Sequence, residues 1–139
     1  MVSRLRLRRI NERIKEELAV LLLYEVADPR LQGVTVTDVR VDRELAYADV
    51  FVSAVEGAAR KDEILAGLAH ARGFLSRQLA QRVELRQFPR LRFHWDPTPE
   101  RAERIEQLLA QLRTERAAAE EAVDAAEDLP SPLPADEDA

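Results

Sequence analysis

Cysteine is absent from all 139 residues. Disulfides, thiolate nucleophiles and cysteine zinc sites are therefore excluded. Only two histidines occur, His70 and His94, too far apart for a recognisable metal-ligand spacing. No metal and no other cofactor is expected. No apolar run approaches the roughly 20 residues needed to cross a membrane. The longest, Leu18 to Leu23, belongs to a helical pattern. The arginine-rich start is broken by Asn11, Glu12, Lys15, Glu16 and Glu17, where a signal peptide needs an apolar core. A cytoplasmic protein is expected, without membrane attachment. Glycine occurs four times and never in a phosphate-binding pattern. Aromatics make up 5% of the chain, which argues against reading bases on an aromatic sheet.

What is present is charge, unevenly placed. Residues 1–96 carry 17 Arg/Lys against 14 Asp/Glu, and residues 97–139 carry 4 against 12. The net charge of −5 conceals a mildly basic front and an acidic back. One domain with a modest core is the expectation at this length.

Leu7, Ile10, Ile14, Leu18, Leu21 and Leu22 step by three and four, a helix over about 4–26. Asp28-Pro29 ends it, because the residue before proline is pushed out of the α region. Val34, Val36, Val39 and Val41 form a strand whose alternation slips once, which a bulge, or a strand buried on both faces, would accommodate. Ala46, Ala48, Val50, Val52 and Ala54 alternate cleanly. The short Asp42-Arg43-Glu44 link suits an antiparallel hairpin. Two helices follow, over about 60–71 and 74–82. Leu91, Phe93 and Trp95 mark a third strand, with Phe93 and Trp95 expected in the core. Thr98-Pro99 opens a last helix, with Ala102, Ile105, Leu108, Leu109 and Leu112 on its apolar face. That face dissolves from about residue 117, and 129–139 has nothing to bury. The order α-β-β-α-α-β plus a C-terminal helix implies an α+β two-layer sandwich. The expected division is a domain over 1–96, a helix over 97–116 and an acidic tail over 117–139, disordered from about 128.

Ala71-Arg72-Gly73 interrupts the apolar pattern between the second and third helices. A glycine inside a helix costs about 1 kcal/mol relative to alanine. Either a small residue lets a helix pack closely, or the backbone is required bare against a ligand. Local residues leave both open.

No catalytic set is apparent. The serines lie in no nucleophile-elbow context. His94, with Asp96 two residues on, is the best candidate base, but a strand-end histidine and a turn aspartate explain the pair as well. No enzyme and no small-molecule substrate are expected. Basic clusters are more telling. Arg4, Arg6, Arg8, Arg9, Arg13 and Lys15 face only Glu12 in the first 15 residues, and Arg6, Arg9 and Arg13 share a helix face. Arg72, Arg77, Arg82, Arg86, Arg90 and Arg92 surround the break and the third strand. Such stripes suit phosphate neutralisation. An adaptor using its acidic C-terminal segment is the alternative.

Four segments in order carry a resemblance: Asp28-Pro29-Arg30-Leu31; Val41 through Val52; Ala71-Arg72-Gly73-Phe74-Leu75; and Leu85 through Phe93, closed by Asp96. Over about residues 4–112 the chain resembles bacterial ribosome-binding factor A. The resemblance implies a type II KH-like fold with an Ala-x-Gly kink between two helices in place of a Gly-x-x-Gly loop. It implies a non-catalytic factor that binds the free 30S subunit, 16S rRNA and its precursor late in assembly. It further implies help in maturing the 5′ end of 16S rRNA, and a link to cold adaptation. Ala71, Arg72 and Gly73 would face RNA. Arg4, Arg6, Arg8, Arg9, Arg13, Arg30, Arg77, Arg82, Arg86 and Arg90 complete the expected RNA-binding set. A monomer is expected.

Overall fold

The computed structural model describes residues 2–127. The chain divides into two compact units, Met1–Pro99 and Glu100–Ala139. In the first, α1 spans Arg4–Tyr24 and a short 3-10 turn covers Pro29–Leu31. Strands β1 (Val34–Val41) and β2 (Tyr47–Ala54) follow, then α2 (Lys61–Arg82) and β3 (Arg90–Trp95). Helix α3 covers Thr98–Glu127.

Ser3 caps α1, accepting a hydrogen bond from the Arg6 N–H. Its buried side chains are Ile10, Ile14, Leu18, Leu21 and Leu22, the stripe expected from sequence. Beyond Asp28-Pro29, the Asp28 carboxylate accepts from the Arg30 N–H and caps the 3-10 turn.

The sheet order is β1-β2-β3. β1 and β2 are antiparallel, with the register slipping between Val36 and Asp38. The extra residue is Thr37, so the broken valine alternation is a bulge. The hairpin lacks Asn-Gly. Leu45 supplies the left-handed backbone at φ 57°, and Asp42 Oδ1 accepts from the Ala46 and Tyr47 N–H groups. β3 runs parallel to β2, which requires the crossover that α2 provides.

α1 packs on β1, α2 packs on β3, and the two helices touch each other. Both therefore cover one face of the sheet. Ala48, Val50, Val52 and Leu91 meet Ile14, Leu18, Ile64, Leu68, Leu75 and Leu79 in a core with essentially no solvent exposure. Phe93 and Trp95 are half-buried against it. The other sheet face carries Tyr47, Asp49, Arg92 and His94 and is open.

One expectation is corrected. The two helices expected over 60–71 and 74–82 are a single helix of 22 residues, unbroken through Ala71-Arg72-Gly73. Leu68, Leu75 and Leu79 are fully buried on both sides of Gly73. Burying three such side chains contributes several kcal/mol, on the order of 2 each, which outweighs the ~1 kcal/mol cost of one helical glycine. The α+β class is unaffected.

α3 continues through Glu127, past the expected loss of its pattern near residue 117. Ile105, Leu108, Leu109 and Leu112 are all exposed. The segment expected to be disordered, from about 128, lies outside the described residues.

Candidate nucleic-acid interface

Helix α1 presents Arg4, Arg6, Arg8 and Arg9 to solvent, and none of them forms an ion pair among the described residues. Arg13 is different. Its guanidinium lies 3.1 Å from Glu17 Oε1, one helical turn on. Arg6, Arg9 and Arg13 form one wall of a groove of about 420 Å³, with Arg82 to Leu85 forming the other. The helix face deduced from spacing is thus brought against the C-terminal end of α2.

Arg82 is held there by acids of α1's end. Its Nη2 donates to Glu25 Oε1 at 2.7 Å, and Nη1 lies 3.5 Å from Glu17 Oε2. The hydrogen bond to Glu25 is the largest cause that holds the Arg82 proton more firmly than usual. Glu84 also lines the groove, an acid within the basic site. Two kinds of arginine therefore meet here. Arg6 and Arg9 are available to an anion, while Arg13 and Arg82 already have carboxylate partners.

Arg77, Arg86 and Arg90 are exposed and without ion pairs among the described residues. Arg72 is half-buried, with its guanidinium carbon 5.9 Å from the Phe93 ring centroid. Its Nε is buried and has no hydrogen-bond partner. Arg30 stands apart from the α1 stripe. Its guanidinium forks onto Asp28 at 2.7–3.1 Å, and this bond is the main reason the Asp28 carboxyl sits below its usual range.

Ala71 leans on the core, whereas Gly73 is exposed. A Cβ on Gly73 would meet only the end of the Arg77 side chain, at 3.2 Å. Packing therefore does not require this glycine. Gly67, six residues earlier, is the glycine that packing does require. A Cβ there would lie 2.9 Å from Leu31 Cδ2 and 3.3 Å from Arg30 Cβ. The signal was available, since Gly67 is one turn from Ile64 on the buried face.

His94 and Asp96 do not pair. His94 Nε2 lies 2.7 Å from Asp49 Oδ1 on the neighbouring strand. Asp96 instead accepts from Thr37 Oγ1 at 2.6 Å and from the Thr98 N–H at 2.9 Å. These bonds, Thr37 first, hold the Asp96 carboxyl below its usual range. Also missed from sequence was Arg60, which donates to the backbone carbonyls of Gln32 and Arg30 at 2.7 and 3.0 Å and ties α2's start to the turn before β1. Among the described residues no three His, Cys, Asp or Glu side chains converge as metal ligands. No described helix is long and apolar enough to cross a membrane.

The ribosome-binding factor A family matches residues 6–109 of this sequence. The chain belongs to the ribosome-binding factor A family. The family member from Chromohalobacter salexigens is 47% identical over 103 residues, covering 73% of this chain and 79% of its own. That from Aromatoleum aromaticum is 43% identical over 107 residues, covering 77% and 84%. The Thermus thermophilus crystal structure superposes with a TM-score of 0.58 at 30% identity, over 64% of this chain and 93% of that one. A Thermus thermophilus homologue fitted into the cryo-EM map of a 30S complex gives a TM-score of 0.53 at 31% identity, over 63% and 91%. The fold is accordingly the KH-like α+β fold of this family. The matched residues end inside α3, so most of that helix lies beyond the family's match.

Proposed function

We propose that this protein is a non-catalytic assembly factor that binds the free 30S subunit and 16S rRNA or its precursor. It assists late maturation, including processing of the 5′ end of 16S rRNA. The observation that carries the reading is the Thermus homologue of the same fold, fitted into the map of a 30S complex. Supporting it, Arg6 and Arg9 are uncommitted in a groove closed by Arg82 to Leu85, and Arg4 and Arg8 are exposed elsewhere on the same helix. Phosphate contacts of this kind are largely independent of base sequence and strengthen as salt falls.

In this reading residues 1–96 do the binding as a cytoplasmic monomer. The helix over 97–116 follows the domain in the chain, and the acidic stretch 117–139 is dispensable. Gly73, exposed on α2, lets the backbone approach RNA. Ala71 supports that turn from the core side, and Arg72, Arg77, Arg86 and Arg90 add charge around it. The bound domain holds a local rRNA conformation that the mature subunit later abandons. Activity in the cold belongs to the same role, since misfolded RNA rearranges slowly there.

Sedimentation of the full chain with purified ribosomal particles tests the reading. Co-migration with free small subunits at low salt is expected. Absence from every small-subunit fraction would overturn it.

A further inference from the structure

The sheet face turned away from α1 and α2 is not an ordinary polar surface. Register places its side chains in three rows. Tyr47 lies beside Arg90; Arg40, Asp49 and Arg92 form the second row; Asp38, Phe51 and His94 form the third. Successive rows are about 6.6 Å apart, two residues along a strand.

Each acid on this face is neutralised within it. Asp49 accepts from Arg92 Nε at 2.8 Å, from Arg92 Nη2 at 3.0 Å and pairs with His94 Nε2 at 2.7 Å. Asp38 accepts from Arg40 Nε at 3.0 Å and from the Val39 N–H at 2.9 Å. Asp42 also acts on Arg92, and Asp96 on Arg40, from the ends of the strands. Arg90 is therefore the exposed cation of this face without an ion pair among the described residues.

Its planar groups are stacked. The Arg92 guanidinium lies 4.1 Å from the Tyr47 ring centroid, and that of Arg40 lies 5.3 Å from Phe51. The His94 and Phe51 rings are 5.2 Å apart and inclined by 30°. Tyr47 remains 40% exposed, and the His94 and Arg92 side chains 44% and 48%. Guanidinium planes and aromatic rings are the surfaces on which unpaired bases stack. Few aromatics are needed when three rings and two guanidinium planes share one face. Phe93 and Trp95 lie on the opposite, core-facing side of β3.

We infer that the open sheet face, centred on Tyr47, Arg92, His94 and Phe51, is a second binding surface for a single-stranded RNA segment. Bases stack on the exposed ring and guanidinium planes, and Arg90 meets a phosphate. Arg90 begins β3 and follows Arg86 by four residues, so the face continues from the basic segment of the proposed subunit interface. The inference rests on the reading of this chain as an rRNA-binding protein. It goes beyond that reading in placing unpaired bases on the sheet rather than phosphates on the helices.

The test is an NMR titration of the full chain with a single-stranded RNA of about eight nucleotides, mixed in sequence, beside a short RNA hairpin. Ring resonances of Tyr47, Phe51 and His94 should shift with the single strand. Tyr47→Leu, which keeps apolar bulk, should weaken single-strand affinity about fivefold or more, the effect of losing one stacked base. Arg92→Lys, which keeps the charge and loses the plane, should also weaken it. Unshifted rings, or a folded Tyr47→Leu protein that binds as tightly as the parent, would overturn the inference. So would a response to the hairpin equal to that of the single strand. The two readings fail separately. Small-subunit binding together with an unaffected Tyr47→Leu variant removes only the sheet surface. Tyr47-dependent single-strand binding without small-subunit binding supports the surface and removes the assembly role.

Discussion

Leu31 Cδ2 lies where a methyl on Gly67 would need to be, at 2.9 Å from that absent Cβ. Leu31 is 3% exposed, so it has little room to retreat. Gly67→Ala is expected to destabilise the domain by about 1–2 kcal/mol, the overpacking cost less the gain in helix propensity. Thermal melting measures this directly.

Gly73→Ala should do the opposite. Only the exposed end of Arg77 must move, and the helix gains about 0.5–1 kcal/mol. The melting temperature should rise. Small-subunit binding by the same protein should weaken, because the added methyl occupies the space reserved for close backbone approach. Raised stability with unchanged binding would show that Gly73 has no part in the interface.

Thr37 Oγ1 reaches Asp96 Oδ2 across β2, tying the β1 bulge to the end of β3. The Asp96 carboxyl is held below its ordinary range by that bond and by Thr98. A folded-state pKa below the unfolded one, about 3.9, gives stability that is complete above that value. It is lost as pH falls through the lower folded value. Asp96→Asn keeps one of the two acceptor oxygens and removes the titration. Melting temperature between pH 6 and 3, in round figures, should fall more steeply for the parent than for the variant.

These features differ in how legible they are in the chain. The slip at the bulge was readable because Val36 and Val39 break a period of two, and the register of β1 on β2 decides for a bulge over a strand buried on both faces. The α1 stripe was readable for the same kind of reason. The continuity of α2 was not, because a helical glycine costs little beside the burial of Leu68, Leu75 and Leu79. Sequence spacing offers His94 only its neighbour Asp96 as a possible partner, whereas its partner Asp49 is set by the parallel register of β2 and β3. Register depends on the crossover, which no local pattern encodes. Arg13, Arg30 and Arg82 differ from Arg6 and Arg9 in already holding carboxylates. Glu17 one turn after Arg13 and Asp28 two residues before Arg30 are local partners, whereas only packing shows that Arg82 is held by Glu25 and Glu17.

Every residue lining the groove belongs to the unit Met1–Pro99, and the residues after Arg116 belong to the other unit. A chain ending at Arg116 should therefore fold and co-sediment with small subunits as the full chain does. Loss of particle binding on this truncation would favour an adaptor acting through its acidic segment.

The central claim is that uncommitted arginines of α1 bind small-subunit rRNA through phosphates. Salt dependence of binding to purified 30S subunits tests it most directly, comparing the parent with Arg6→Gln/Arg9→Gln. Each lost phosphate contact lowers the slope of log affinity against log salt by about 0.7 to 0.9. The double variant should bind more weakly, with a slope smaller by about 1.4 to 1.8. Unchanged affinity and slope in a folded double variant would contradict the account.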